Sequence, residues 1–184
     1  MPRVCFVTCT TWPEISASDR LVVEALAPLG VQVEGRPWNE RSAKFTGFDA
    51  VVLRSNWDYH FEPEAFLAWL DRIERAGVRL FNPPALVRWN VSKRYLLALE
   101  AAGVPTVATT VLDDPTREAI EASLGRHGPV VVLKPAIAAS AHGTRLVPRP
   151  RWTRPCGRSR PASSCPRCSC SRSSRRCGAA ASGR

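Results

Sequence analysis

The feature that most constrains this sequence is an abrupt change of composition after residue 147. Residues 1–147 contain 16 Lys/Arg and 16 Asp/Glu, and they hold every Val, Leu, Ile, Phe, Tyr and Met of the chain. The remaining 37 residues contain ten arginines, no acidic residue and none of those apolar types. A segment without such side chains cannot bury a core. We therefore expect a folded body followed by a disordered basic tail, residues 148–184.

The net charge of +10 comes entirely from this tail, so it does not make the body a nucleic-acid-binding domain. The tail itself leaves two alternatives open. Its S-R-S-S-R-R run, residues 171–176, could contact nucleic-acid phosphates without sequence preference. Its closely spaced cysteines could hold zinc, but the surrounding Pro, Arg and Ser predict no zinc-ribbon strands. A non-catalytic α/β binding module with a basic nucleic-acid-binding tail is therefore the alternative function.

Two cysteines, Cys5 and Cys9, lie in the body and are predicted to be reduced core residues. No apolar run is long enough for a signal peptide or a membrane span. We expect a cytoplasmic protein that does not contact a membrane.

Apolar runs alternate with amphipathic segments through the first part of the body. Strands are predicted at residues 3–9, 31–38, 49–55 and 78–81. Helices are predicted at residues 18–29, with Ser18 or Asp19 as the N-cap, and at residues 62–76. Gly30 and Gly77 end these helices. Unbroken apolar strands separated by helices predict a parallel open α/β sheet. No G-x-G-x-x-G follows the first strand, so the motif for a dinucleotide site is missing.

A boundary is predicted at Asn82-Pro83-Pro84. After it, the pattern predicts helices at residues 85–89, 92–102 and 115–127 and strands at residues 107–112, 130–133 and 144–147. We expect three parts: an N-terminal domain at residues 1–82, a partial second domain at residues 83–147, and the tail.

Two stretches carry chemistry-bearing side chains. Polar and aromatic residues, beginning at Arg54, lie at the carboxyl end of the strand at 49–55, where ligands of open α/β sheets bind. Separately, the apolar strand at 130–133 delivers Lys134 into a loop of small residues. A lysine aimed by a strand, with loop N–H groups beside it, suits a polyphosphate, although no Walker A sequence is present. The alternative is an ordinary solvated lysine.

Four strings, taken in their order and spacing, resemble the ATP-grasp superfamily, in particular its members like glutathione synthetase and ribosomal-protein glutamate ligases. They are V-V-L-R-S-N-W-D-Y-H (51–60), F-N-P-P-A-L-V-R-W-N-V-S-K-R-Y-L (81–96), A-G-V-P-T-V-A-T-T (102–110) and V-V-L-K-P-A (131–136). The resemblance implies a Rossmann-like N-terminal domain followed by the first half of an ATP-grasp domain. It also implies an ATP- and Mg²⁺-dependent carboxylate–amine ligase that forms an acyl phosphate.

The resemblance also implies site residues. For the nucleotide phosphates they are Lys93, Lys134, Ser140, His142 and Gly143; for a small carboxylate or amino-acid substrate they are Arg54, Trp57, Asp58 and Tyr59. Mg²⁺ requires carboxylate ligands, which the family takes from its second half, and this chain has no acidic residue after Glu121. No residue is predicted as a metal ligand or as catalytic.

The tail composition is typical of GC-rich codons translated out of register. Permissible codons for residues 170–184, read in another frame, give L-Q-P-F-L-P-E-V-R-R-G-G-E-W-S, which resembles the hinge segment of the family. We therefore expect a truncated, frameshifted fragment with little or no ATP turnover, a hypothesis that the coding DNA tests directly.

Overall fold

The structure, a computed structural model of the chain, describes residues 1–127 and 130–148. These residues lie in one compact unit, Met1–Arg149. In chain order the elements are β1 Arg3–Thr8, α1 Ala17–Leu26, β2 Gln32–Pro37, β3 Ala50–Leu53, α2 Pro63–Arg75, β4 Leu80–Phe81, α3 Pro84–Val91, α4 Tyr95–Ala101, α5 Arg117–Arg126, β5 Val130–Leu133 and β6 Arg145–Pro148. The expectations for the tail beyond residue 148 lie outside the described residues.

The first four strands form one sheet in the order β2-β1-β3-β4. Every pairing in it is parallel, with Cys5 of β1 opposite Glu34 of β2 and Val51 of β3. The predicted parallel open α/β sheet is confirmed. Because the strands are parallel, the loops that follow β1, β2 and β3 all leave from the same edge.

The core lies where α2 packs on this sheet. Four apolar residues of α2, at helical spacing, are all buried, namely Phe66, Trp69, Leu70 and Ile73. Burial of each such side chain stabilises the fold by about 1.5–3 kcal/mol. Cys5 and Cys9 are buried, unbonded thiols in the same core, as predicted.

The helix ends follow local chemistry. The N-cap of α1 is Ser16, whose side chain accepts a hydrogen bond from the Asp19 N–H at 3.2 Å. The prediction of Ser18 or Asp19 as the cap is therefore wrong, because the helix begins earlier along a polar stretch that offers several capping side chains. Gly30 and Gly77 have φ values of +74° and +66° at the ends of their helices, and the predicted stops are confirmed.

The later half contains three helices and a hairpin. Strands β5 and β6 pair antiparallel, with Val132 opposite Leu146, which confirms the strands predicted at residues 130–133 and 144–147. The strand predicted at residues 107–112 is wrong, because this segment pairs with no strand in the described part of the chain. Val107 in it is 85% exposed. An apolar run becomes a strand only where a sheet edge receives its backbone groups. No helix within residues 1–127 and 130–148 is long and apolar enough to cross a bilayer.

Candidate functional site: two lysines and an aromatic cleft

Lys93 lies between α3 and α4 and is fixed to the segment that follows β5. Its backbone N–H donates to the Ala136 carbonyl at 2.7 Å, and its Nζ donates to the Ala138 carbonyl at 2.6 Å. Lys134 begins that same segment. The fold therefore brings together two lysines that are far apart in the sequence.

The positive charges of these two lysines repel each other. Burial lowers the pKa of Lys93, and the positive charge of Lys134 lowers it further. Lys134 itself is exposed. Because both effects disfavour the charged Lys93, an anion placed between the two lysines would relieve the unfavourable energy.

The loop between β5 and β6 turns through left-handed backbone. Ser140, Ala141 and Gly143 have φ values of +49°, +58° and +67°. The His142 N–H donates to the Ala139 carbonyl at 2.8 Å. A Cβ on Gly143 would lie 2.8 Å from Cγ of Pro135. Gly143 is thus required both by its backbone angle and by the close approach of the proline ring.

This loop forms one wall of an open cleft of about 380 Å³. The other wall comes from the loops after β1 and β3. The lining residues are Trp12, Trp57, His60, Phe61, Ala139, Ser140 and His142. The loop predicted to cover phosphate and the loop predicted to face the substrate therefore meet at one site.

Aromatic rings dominate the contacts across the cleft. The rings of Trp12 and Trp57 pack edge to face with centroids 5.9 Å apart. The ring of His142 lies 5.0 Å from that of His60 and 5.1 Å from that of Phe61. Trp12 and Trp57 remain 47% and 41% exposed, so their rings are accessible to a ligand.

Arg54 is engaged within the protein. Its Nε donates to Oδ1 of Asp19 at 2.8 Å, and its Nη2 forms an ion pair with the same oxygen. Ser55 donates to the other oxygen at 2.9 Å. Burial of Asp19 would raise its pKa, but hydrogen bonds from Arg54, Ser16 and Ser55 together outweigh that effect and hold the pKa below its ordinary value. Arg54 thus lies at the predicted edge of the sheet while compensating a buried carboxylate.

Asp58 also has partners within the protein. It is 5% exposed, and its carboxylate accepts hydrogen bonds from Trp38 Nε1 at 2.7 Å and Asn39 Nδ2 at 3.1 Å. These bonds join the loops after β2 and β3.

Tyr59 packs inward, with its ring 5.2 Å from that of Phe66, and burial raises its pKa. Of the four residues predicted to face the substrate, Trp57 is the one that lines the cleft.

Besides Ala139, three aromatic lining residues were not predicted: Trp12, His60 and Phe61. Each was visible as an aromatic residue shortly after a strand, at the edge where ligands bind. What the sequence did not show is that the β5–β6 loop would close against them.

The resemblance to ATP-grasp enzymes also implies a bound Mg²⁺ ion. Within residues 1–127 and 130–148, no group of three or more His, Cys, Asp or Glu side chains is arranged to hold a metal ion.

Comparisons with known proteins find similar sequences and similar folds. The family model described as "D-cycloserine synthetase DcsG, N-terminal domain" matches residues 4–82. The cycloserine biosynthesis protein DcsG of Streptomyces lavendulae is 38% identical over 91 residues, which are 50% of this chain and 30% of that protein. A glutathione synthetase of Ralstonia nicotianae is 27% identical over 100 residues, covering 52% of this chain and 31% of its own length. The chain thus spans about a third of the curated relatives that it matches.

Solved structures extend the likeness beyond residue 82. The crystal structure of D-cycloserine synthetase DcsG matches with a TM-score of 0.72 and 29% identity, over 80% of this chain and 50% of the other. A RimK domain ATP-grasp protein from Sphaerobacter thermophilus shares the fold with a TM-score of 0.62 at 22% identity, over 79% of this chain and 55% of its own. The described residues therefore have the fold of D-cycloserine synthetase DcsG and of an ATP-grasp protein, with the parallel sheet in the part that matches the DcsG N-terminal model.

Proposed function

We propose that this chain forms the nucleotide-phosphate-binding and substrate-facing part of an ATP-dependent carboxylate–amine ligase. The observation that carries the proposal is the convergence of Lys93 and Lys134 on one segment, with the pKa of Lys93 lowered by burial and by its neighbour. A triphosphate supplies the negative charge that this pair lacks, and charge-assisted hydrogen bonds to phosphate are strong.

The proposed roles follow the geometry. Lys93 and Lys134 contact phosphate oxygens, and the loop carrying Ser140, His142 and Gly143 covers them. Residues 1–82 form the N-terminal domain and residues 83–147 the first part of the ATP-grasp domain. Trp57 faces the acceptor, while the other three residues predicted to face it, Arg54, Asp58 and Tyr59, fix the loop that presents it.

The family implies Mg²⁺ as well as ATP, but the described residues offer no metal cluster. The proposal for this chain therefore concerns nucleotide binding, and no phosphoryl-transfer step is assigned to its residues. The synthetase names of the relatives support the ligase class.

Calorimetric titration of the full chain with ATP, ADP and AMP tests the phosphate site. We expect affinity to rise with phosphate number, and Lys93→Met and Lys134→Met each to weaken ATP binding by about tenfold or more, because each removes a charge-assisted contact. The chain has only three lysines, and Lys44→Met is the matched control, expected to bind like the wild type. Equal affinity for ATP and AMP, or equal losses in all three variants, would overturn the proposal.

A further inference from the structure

Lys93 holds the loop between β5 and β6 in place, in addition to lying at the proposed phosphate site. Its backbone N–H donates to the Ala136 carbonyl at 2.7 Å, and its Nζ donates to the Ala138 carbonyl at 2.6 Å. Ala138 is 8% exposed. A hydrogen bond from a charged donor is about twice as strong as one from a neutral donor. The strength of the bond to Ala138 therefore depends on the charge of Lys93.

The loop that Lys93 holds continues directly into the wall of the cleft. Ala139 and His142 both line the cleft, and the turn between them is closed by the 2.8 Å hydrogen bond from the His142 N–H to the Ala139 carbonyl. Across the cleft, the ring of His142 lies 5.0 Å from that of His60 and 5.1 Å from that of Phe61. A continuous set of contacts thus joins Nζ of Lys93 to the aromatic rings that follow β3.

The ammonium group of Lys93 can serve the loop and an anion at the same time. An ammonium group has three N–H donors, and the Ala138 carbonyl occupies one of them. Burial and the positive charge of Lys134 lower the pKa of Lys93, so both disfavour the charged donor. A phosphate beside the two lysines would favour the charged form and would thereby strengthen the bond to Ala138. Anion binding and loop docking are therefore expected to reinforce each other.

We propose that Lys93 couples the phosphate site to the aromatic cleft, so that an anion held by Lys93 and Lys134 tightens the β5–β6 loop against the rings of His60 and Phe61. The inference rests on the proposed function for the identity of the anion. It goes beyond that function in making one wall of the cleft depend on whether the phosphate site is filled. Because coupling between two sites is reciprocal, a better docked loop must also raise the affinity for the anion.

Amide hydrogen exchange of loop residues 139–144 tests the coupling in the full chain. The probe is inorganic tripolyphosphate, which offers phosphate oxygens without a nucleoside, at concentrations that saturate each protein in calorimetric titrations. We expect the loop amides of the wild type to exchange at least about fivefold more slowly with the anion than without it, the lower end of the coupling typical of linked sites. Local opening of the loop is slowed in this way only if opening weakens anion binding.

Lysine variants separate the bond to Ala138 from the anion. Lys93→Met removes the Nζ donor but keeps the backbone bond to Ala136, and without the anion its loop amides should exchange at least about fivefold faster than those of the wild type. Protected β1 amides would show that this variant is folded, and tripolyphosphate should no longer slow its loop. Lys93→Arg, which keeps a charged donor, should retain part of the protection. Without the anion, Lys134→Met should exchange no faster than the wild type, and Lys44→Met is the control.

A substitution on the opposite wall tests the reciprocal effect. Phe61 is 61% exposed and contacts the His142 ring, so Phe61→Leu weakens loop docking without opening the core. We expect it to weaken tripolyphosphate binding by about threefold, a part of the coupling between the sites. The same substitution in Lys93→Met should have no further effect. Phe81→Leu changes an exposed phenylalanine that does not line the cleft, and it should bind the anion like the wild type.

The coupling and the phosphate site fail in different ways. Wild-type loop protection in Lys93→Met, or saturable binding of tripolyphosphate that leaves loop exchange unchanged or makes it faster, would overturn the coupling and leave the phosphate site standing. If the wild type shows no saturable binding of tripolyphosphate, the phosphate site is wrong and the coupling is wrong with it.

Discussion

Two charged residues in this protein show how differently a fold can treat a buried charge. Asp19 is 3% exposed and is surrounded by donors: Arg54, Ser55 and Ser16. Lys93 is half-buried, and it has a single carbonyl partner and a like charge nearby. The first arrangement stabilises the ionised group and the fold. The second arrangement destabilises the ionised group.

Asp19→Asn should destabilise the protein by about 1–3 kcal/mol at neutral pH, because it removes the acceptor of charge-assisted bonds and leaves Arg54 without its partner. The pKa of Asp19 is lower in the folded protein than the ordinary value of 3.8. Its contribution to stability is therefore fully present above pH 3.8 and is lost as the pH falls through the lower, folded-state pKa.

Urea unfolding of wild type and variant across this acid range checks the prediction. The difference in unfolding free energy should shrink as the pH falls below 3.8. A difference that stays constant down to the most acid point would show that the charge of Asp19 is not the source of the stabilisation.

Lys134→Met should raise the pKa of Lys93, because it removes the neighbouring positive charge while the effect of burial remains. With three lysines in the chain, NMR titration of labelled lysine side chains resolves each one. Lys44→Met should leave the Lys93 titration unchanged. A Lys93 titration that is identical in Lys134→Met and wild type would contradict the convergence of the two lysines.

At the scale of elements, the β5–β6 hairpin depends on its turn. Three of the four residues 140–143 adopt positive φ, and Gly143 packs against Pro135. This turn also places the ring of His142 next to the rings of His60 and Phe61. The geometry of the cleft therefore depends on a few backbone angles in one loop.

Gly143→Ala should open the hairpin, since alanine would be strained at φ +67° and its Cβ would overlap the Pro135 ring. The matched control is Gly77→Ala, at φ +66° with no atom within 4 Å of the position that a Cβ would take. Both carry the conformational cost, about 1 kcal/mol, and Gly143→Ala adds the overlap.

Amide hydrogen exchange measures the result. Relative to wild type, the β5 and β6 amides should exchange at least about tenfold faster in Gly143→Ala, while Gly77→Ala leaves them unchanged. Equal protection of the hairpin in all three proteins would mean that the turn tolerates a side chain.

At the scale of the whole molecule, a well-packed parallel sheet is followed by a lightly packed hairpin. Val132 and Leu146 face each other across the hairpin, and they are 53% and 73% exposed. Val131 and Val147, on the opposite face, are half-buried. Exposed apolar pairs on a short sheet favour self-association.

The double variant Val132→Lys with Leu146→Glu should reduce self-association in sedimentation velocity, because it places an opposite-charge pair on the exposed face. The free energy of unfolding should change by less than about 0.5 kcal/mol. The matched change on the other face, Val131→Lys with Val147→Glu, should instead destabilise the hairpin. If the exposed-face variant associates as strongly as wild type, another surface is responsible.

Much of the fold could be predicted because it depends on local periodicity. The strands and α2 follow apolar spacing, and Gly30 and Gly77 end helices because few other residues adopt left-handed backbone easily. The segment at 107–112 was predicted incorrectly because an isolated apolar run does not show whether a partner strand lies beside it.

The sequence by itself determined that residues 1–147 carry the core, that the sheet is parallel, and that Lys93 and Lys134 are candidates for phosphate, since apolar spacing and motif order are properties of the chain. Only the tertiary structure decided which side chains are available. It assigned Arg54 and Asp58 to internal partners and left Trp57 accessible. It also closed the β5–β6 loop on His60. The physical reason is that hydrogen-bond partners and burial depend on residues that are distant in sequence, and only the packed chain brings those residues together.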